Sequence, residues 1–441
     1  MDQIKKVLIV TDLFHASPRI PGLCAYLREF GWEPVILTTS LGENPEARKG
    51  PPNDFNKKFK VVEVPYESLI TVLKKIGGFK TGTTGARAEI EKKFGGNSLR
   101  NRLIKKIILW AGAIIAYPDE LRAWRKPAIQ RGHALLAEDK FDAILSSSSP
   151  VTSHRIAHAL KKQHRLPWSA DLRDLWTQNH YYLYPKIRKL FEIPLEMRTL
   201  GGADALITVS DSLAQKLRSR YGTKPIFVIT NGFDPASVNN PPAPLTKKFT
   251  ITYTGTIYRG KQLPEKLFSA LHTLIADHQV NKEDVEIRFY GPSLDWLDNL
   301  IERYDLHAIV TQHGLVAHGK AILRQRESQI LLMFGWEDKN ELGVLLTKSF
   351  EYYAARRPVI IVGGTPKEQI KAIIDKANAG QHAINELDVK TMLLDYYNEY
   401  KKTGAVAYRG NPALMDRFSY REMARKFSET LDSITRQQNR D

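Results

Sequence analysis

The sequence predicts an α/β protein built from two parallel-sheet domains, and three observations predict it. Short apolar runs alternate with helical stretches along most of the chain, a Pro- and Asn-rich stretch interrupts them at 235–247, and the alternation then restarts. Such alternation implies parallel strands covered on both faces, since parallel neighbours need a crossover between them. At 441 residues, 42% of them hydrophobic, the chain is long enough for two cores.

In the first half, residues 7–11, 33–38, 60–65, 143–146, 168–171, 206–210 and 226–230 read as strands, and Asn231-Gly232 marks a turn after the last. In the second half, 249–253, 285–290, 309–311, 330–334 and 359–362 read the same way. The expected domains are 1–234 and 248–417, joined by a linker at 235–247. An amphipathic helix at 418–434 is expected to return to the first domain. Two such halves suggest a central cleft with a ligand at the strand C-termini. The N-terminal apolar run is short and ends in Asp12, which suits a first strand rather than a signal peptide. No run is long enough to span a bilayer; the nearest approach, 107–117, is too short.

One cysteine, Cys24, excludes an intramolecular disulfide and fits a reducing compartment. It sits in an apolar helical pattern, where burial is its expected role. A formal net charge of +17 calls for polyanionic company: nucleic acid, an anionic membrane or phosphate-rich substrates. No zinc, RRM-like or helix-turn-helix pattern accompanies it, so nucleic acid is not expected. Residues 99–110 place Leu99, Leu103, Ile107 and Trp110 at helical spacing with Arg100, Arg102, Lys105 and Lys106 between them. That pattern suits an anionic membrane surface, and equally a helix packed on its own domain with a solvated basic face.

The most informative stretch runs from Gly343 to Gly364. Gly343 allows a close turn, and Thr347 and Lys348 stand at an expected helix start, where free backbone N–H groups favour phosphate. Glu351 shares their face at helical spacing. Pro358 ends the helix, and 359–362 follows as a buried strand. A cation for diphosphate and a carboxylate for hydroxyls on one helix is what a nucleotide-sugar site needs; the alternative is an ordinary amphipathic helix.

Several motifs fall in one order: Lys6-Val-Leu-Ile-Val10, Ser146-Ser-Ser-Ser-Pro150, Ala170-Asp-Leu-Arg-Asp-Leu-Trp176, Ile207-Thr-Val-Ser-Asp211, Val228-Ile-Thr-Asn-Gly-Phe-Asp234, Tyr253-Thr-Gly-Thr-Ile-Tyr258, and the segment from Gly343 to Pro358. In that order the chain resembles the retaining GT-B glycosyltransferases of family 4. The resemblance implies two Rossmann-like domains, a nucleotide-sugar donor bound mainly by the second and an acceptor bound mainly by the first. Carried over by position, Gly255 and Thr256 form the donor loop, Arg259 or Lys261 meets the diphosphate, and Lys348 completes the clamp. Glu351 matches the second glutamate of the family's pair. The first would fall at Gly343, with Glu341 two residues early. Arg19 and Gly22 occupy the place of the family's glycine-rich donor loop. Ser149, Asp171, Arg173 and Asp174 are expected to face the acceptor, the alternative being an Arg–Asp pair that holds the loop. His154 reads as a helix residue rather than a base.

The expected reaction transfers a sugar with retention from a nucleotide sugar, UDP-linked by preference, to a glycan or lipid-linked acceptor. No metal or cofactor is expected, and Arg259, Lys261 and Lys348 supply the cations. Surface-polysaccharide assembly in the cytoplasm, peripheral on the inner face of the membrane, fits both the resemblance and the charge. A nucleotide-sugar epimerase of the same fold and a catalytically silent scaffold are the alternatives.

Overall fold

The computed structural model describes residues 4–13, 17–40, 54–66, 117–179, 182, 184–238, 243–337, 347–366 and 369–438. They divide into two compact units, one of Met1–Thr230 with Ala424–Asp441 and one of Asn231–Met423. The division falls before the stretch 235–247, which belongs to the second unit. The basic stretch 99–110 lies outside the described residues.

In the first unit, seven strands form one parallel sheet: β1 (Lys5–Val10), β2 (Trp32–Thr39), β3 (Lys60–Val64), β4 (Ala143–Ser148), β5 (Trp168–Leu172), β6 (Ala205–Thr208) and β7 (Ile226–Val228). Their order is β3-β2-β1-β4-β5-β6-β7. The central strands are buried on both faces; β1 ends in an apolar run, whereas β4 and β5 also bury Ser146, Ser147, Ser148, Ser169 and Asp171. Helices α1 (Arg19–Leu27), α2 (Arg125–Glu138), α3 (Thr152–His164), α4 (Lys189–Leu200) and α5 (Asp211–Tyr221) occupy the connections. Ser210 caps α5, its hydroxyl accepting the Leu213 N–H.

The second unit repeats the plan with six parallel strands: β8 (Phe249–Thr254), β9 (Val285–Tyr290), β10 (Val310–Gln312), β11 (Ile330–Phe334), β12 (Val359–Val362) and β13 (Gly380–Ala383). Their order is β10-β9-β8-β11-β12-β13. Its helices include α6 (Glu265–Ala276), α7 (Asp295–Arg303), α8 (His318–Glu327), α9 (Thr347–Ala355), α10 (Gln369–Ala377) and α11 (Glu386–Thr403). In both sheets the connections reverse direction beside the first strand, between β1 and β4 and between β8 and β11. The C-terminal ends of such a pair are where open α/β sheets bind ligands.

The last helix, α12 (Tyr420–Gln438), starts in the second unit and from Ala424 onward belongs to the first. There Asp432 accepts from Lys5 Nζ at 2.6 Å and from Trp32 Nε1 at 3.1 Å. Cys24 is buried in α1, and burial pushes its thiol pKa up, so it serves packing. Among the described residues no helix is long and apolar enough to cross a membrane.

Asp171, expected at the acceptor, is instead 0% exposed. Its carboxylate is gripped by Arg19, through Nε at 3.0 Å and Nη2 at 2.9 Å, and accepts the Ser147 hydroxyl at 2.7 Å. The same guanidinium donates to the carbonyls of Ile229 and Thr230, each at 2.8 Å, and lies over the Phe427 ring of α12. The alternative reading of an Arg–Asp pair therefore holds, although the partner is Arg19 and not Arg173. Three buried donors occupy this carboxylate and no part of it reaches the surface, so it serves the pair rather than an acceptor hydroxyl. Removing one partner strands the other charge in a site without water. Asp171→Ala is expected to destabilise the first unit by about 3–5 kcal/mol, read as a lower urea midpoint in tryptophan fluorescence. A loss below about 1 kcal/mol would show that the pair does not hold these elements together.

Candidate functional site

The site is assembled at the C-terminal edge of the second sheet. β8 ends at Thr254 and the chain turns at Gly255, whose φ of 118° is accessible to glycine alone. A Cβ there would stand 3.1 Å from Lys348 Nζ, so the turn and the lysine amine lie against each other. Lys348 is the second residue of α9, and its amine donates to Tyr253 Oη at 2.5 Å while resting 3.8 Å from the centre of that ring. Tyr253 Oη in turn donates to the Thr256 carbonyl at 2.8 Å. A relay thus runs from the amine through a buried phenol to the backbone of the turn.

Burial shifts these groups in opposite directions. Desolvation pulls the Lys348 amine from 10.5 down to about 7, with the Glu351 charge opposing the shift. It pushes the Tyr253 phenol well above its usual range, keeping it a neutral donor. An amine near 7 lacks a full counter-charge of its own, and an arriving phosphate would supply one.

Glu351 lies one turn further along α9. Its carboxylate accepts Gln325 Nε2 from α8 at 3.1 Å and stands 3.9 Å from His318 Nδ1. Gln325 Nε2 also reaches Thr254 Oγ1 at 3.0 Å, and the Thr254 N–H donates to Tyr352 Oη at 2.9 Å. Lys348, Glu351, Gly255 and Thr256 are therefore brought together, as expected from their positions. α9 stops at Ala355, and β12 follows as a buried strand.

The loop after Gly255 is anchored by Gln262. Its buried amide donates to the Phe334 carbonyl at 2.9 Å and accepts the Tyr258 N–H at 3.1 Å. Arg259 is exposed, with its guanidinium 6.0 Å from the Trp296 ring on α7. Lys261 offers its carbonyl to the Glu337 N–H at 3.0 Å. Glu337, just past β11, pairs with Lys266 at 2.7 Å and accepts the Gly364 N–H at 3.0 Å. Sequence reading missed Tyr253, Gln262, Gln325 and Glu337. The one available signal was the phenol of Tyr253 near the end of β8; Gln262 on a loop, Gln325 in α8 and Glu337 past β11 carried none. Glu341 and Gly343 lie outside the described residues, and Thr347 opens α9.

In the first unit the expected donor loop is a helix. Gly22 is buried inside α1 and donates its N–H to the Pro18 carbonyl at 2.8 Å, an ordinary helical role. Arg173 donates to the carbonyls of Ser148 at 2.6 Å and Ser149 at 3.2 Å, so it fixes the turn after β4 rather than presenting two free edges. Ser149 is half-buried on that turn and Asp174 is exposed beside it. His154 is buried in α3 with Nδ1 2.8 Å from Ser146 Oγ, and burial lowers its pKa to about 4, consistent with a packing role.

Residues 95–237, less than half of the chain, match the family model described as Glycosyltransferase Family 4. No curated protein sequence matches significantly. Among solved structures, a glycosyltransferase from Rickettsia africae ESF-5 is similar with a TM-score of 0.59 at 14% identity, over 98% of this chain and 99% of that one. Anabaena Alr3699/HepE, solved with UDP and glucose, gives 0.57 at 13% identity, over 97% and 100%. The lipopolysaccharide outer core galactosyltransferase WaaB gives 0.54 at 12% identity, over 97% and 99%. These likenesses establish the GT-B fold, with two Rossmann-like parallel-sheet domains.

Gly255→Ala tests the close approach of turn and amine. An L side chain at that φ, set against Lys348, is expected to cost about 1–3 kcal/mol in urea unfolding. A variant as stable as the parent would mean that the turn relaxes without loss.

Proposed function

We propose that this chain is a retaining glycosyltransferase. It would move a sugar from a nucleotide-sugar donor, UDP-linked by preference, to a glycan or lipid-linked acceptor in surface-polysaccharide assembly at the cytoplasmic face of a membrane. The observation that carries the proposal is the Lys348 amine, held at the start of α9 against the Gly255 turn, at the switch point of a GT-B domain. The family match to residues 95–237 and the UDP and glucose bound by the similar Anabaena protein support the same reading.

In this reading the diphosphate lies against Gly255, where no side chain intervenes, and takes its countercharge from Lys348. Arg259 and Lys261, on the loop anchored by Gln262, would reach the same group. Glu351, oriented by Gln325, would accept hydroxyls of the ribose or sugar. The acceptor oxygen bonds to the anomeric carbon on the face from which the nucleoside diphosphate departs, and the acceptor proton passes to the departing phosphate. Lys348 stabilises the charge that develops there. Ser149 and Asp174 remain as acceptor contacts in the first unit.

Release of UDP from candidate UDP-sugars tests the reading. Turnover that needs a lipid-linked or glycan acceptor, with retained anomeric configuration by NMR, is expected. Acceptor-free interconversion of the donor would instead identify an epimerase, and donor binding without turnover would identify a silent scaffold. Lys348→Ala is expected to lower turnover by about 100-fold or more while leaving the circular dichroism spectrum unchanged. Turnover equal to the parent's would sink the donor-site assignment.

The lowered pKa of Lys348 gives a pH signature with a definite sign. The diphosphate binds the ammonium form, which is populated below about 7 and lost above it. UDP affinity by calorimetry should therefore fall by up to about tenfold per unit as pH rises above 7, with proton uptake on binding. Lys348→Arg, charged throughout, should flatten that dependence. A flat profile in the parent chain would remove the diphosphate from Lys348.

A further inference from the structure

Helix α4 and the turn before it depart from the usual amphipathic arrangement, although Leu195 and Leu200 still pack inward on the core. A helix on a globular unit normally turns its apolar stripe inward and its charges outward. Here both acids point inward. Glu192 and Glu196 are each 1% exposed, Glu192 accepting from Arg188 Nε at 2.7 Å and from Tyr182 Oη at 2.8 Å. Glu196 accepts the Thr177 N–H at 3.0 Å, Arg220 at 2.9 Å and Tyr221 Oη at 3.2 Å. Arg188 is itself buried, stacked 3.5 Å from the centre of the Tyr184 ring and bonded to the Pro118 carbonyl at 2.6 Å.

The outward stripe is apolar. Ile187 is 51% exposed, Leu190 and Phe191 68% each and Met197 48%, with exposed Pro194 between them. Their spacing puts all five on one face. Of the charges on the same stretch, Lys186 and the half-buried Lys189 border this stripe and Arg198, four residues after Pro194, stands within it; all three are positive. Inward ion pairs hold the helix firmly, so the apolar residues are displayed on a rigid support.

We propose that this face of α4 docks onto an anionic lipid bilayer, with Ile187, Leu190 and Phe191 entering the interfacial region and Lys186, Lys189 and Arg198 meeting lipid phosphates. Charge complementarity selects that occupant. A second copy would set the same three cations against each other, whereas an anionic surface satisfies them and takes up the apolar stripe. The surface is distinct from the basic stretch 99–110. Binding can be read without donor or acceptor, so failure of the glycosyl-transfer reading and failure of this one are distinguishable.

The test is flotation of the full chain with vesicles of phosphatidylcholine, with and without phosphatidylglycerol. The chain should float, and more strongly when phosphatidylglycerol is present. Leu190→Ser with Phe191→Ser should reduce flotation by about tenfold or more, because two side chains lose their apolar burial. Lys186→Glu with Lys189→Glu should abolish the preference for anionic vesicles. Leu387→Ser, an exposed leucine in the second unit, should change nothing. Both serine substitutions fall at exposed positions, so melting should be unaltered and loss of flotation is not a folding defect. Parental flotation in the double serine variant overturns the proposal. So does a switch from dimer to monomer in that variant with vesicle binding unchanged, which would make the face an interface between copies.

Discussion

The Arg19 guanidinium is the point on which the first unit turns. It joins the start of α1, the end of β5, the carbonyls of residues 229 and 230, and the Phe427 ring, four places far apart in sequence. Two charges taken out of water are costly, and here the cost is offset because each is bonded along several directions at once. Its bonds to consecutive carbonyls settle where the chain leaves the first unit. That exit, at Thr230, is also where the division between units falls.

In the second unit close backbone approach stands beside ion pairs such as Lys266–Glu337 and Arg288–Glu327. A Cβ on Gly291 would meet the Gly255 carbonyl oxygen at 2.1 Å, and one on Gly335 would meet that of Gly363 at 2.6 Å. Strand ends can converge this closely only where side chains are missing. The convergence leaves bare backbone, against which Lys348 is set at Gly255 and Glu337 with Lys266 at Gly363. The two units share a parallel plan of seven and six strands, and differ in that a buried ion pair ties loops together in the first and glycines let strand ends converge in the second.

Most of this was legible in the sequence because parallel strands buried on both faces write themselves as apolar runs. β11 and β12 are such runs, while β8 alternates with threonine and β9 with Glu286 and Arg288, a pattern that also marks a strand. β13 was not legible: Gly380-Gln-His-Ala383 has no apolar period, and it is a strand because it pairs with β12 in register. Lys348 and Glu351 could be placed because helical spacing is local. Asp171 and Arg173 could not be sorted, because the residue that decides between them, Arg19, lies about 150 positions away and only the fold brings it near. The part played by Gln325 was hidden for the same reason, since its partners Thr254 and Glu351 lie on other elements.

The path of α12 has a consequence for how the molecule is made. Phe427 and Asp432 are made about 400 positions after the Arg19, Lys5 and Trp32 side chains they meet. The second unit is a continuous stretch and can close as soon as it leaves the ribosome, whereas the first unit is started first and completed last. Until α12 is made, its seat on Arg19, Lys5 and Trp32 lacks that cover. Birth order and completion order are therefore reversed between the two halves.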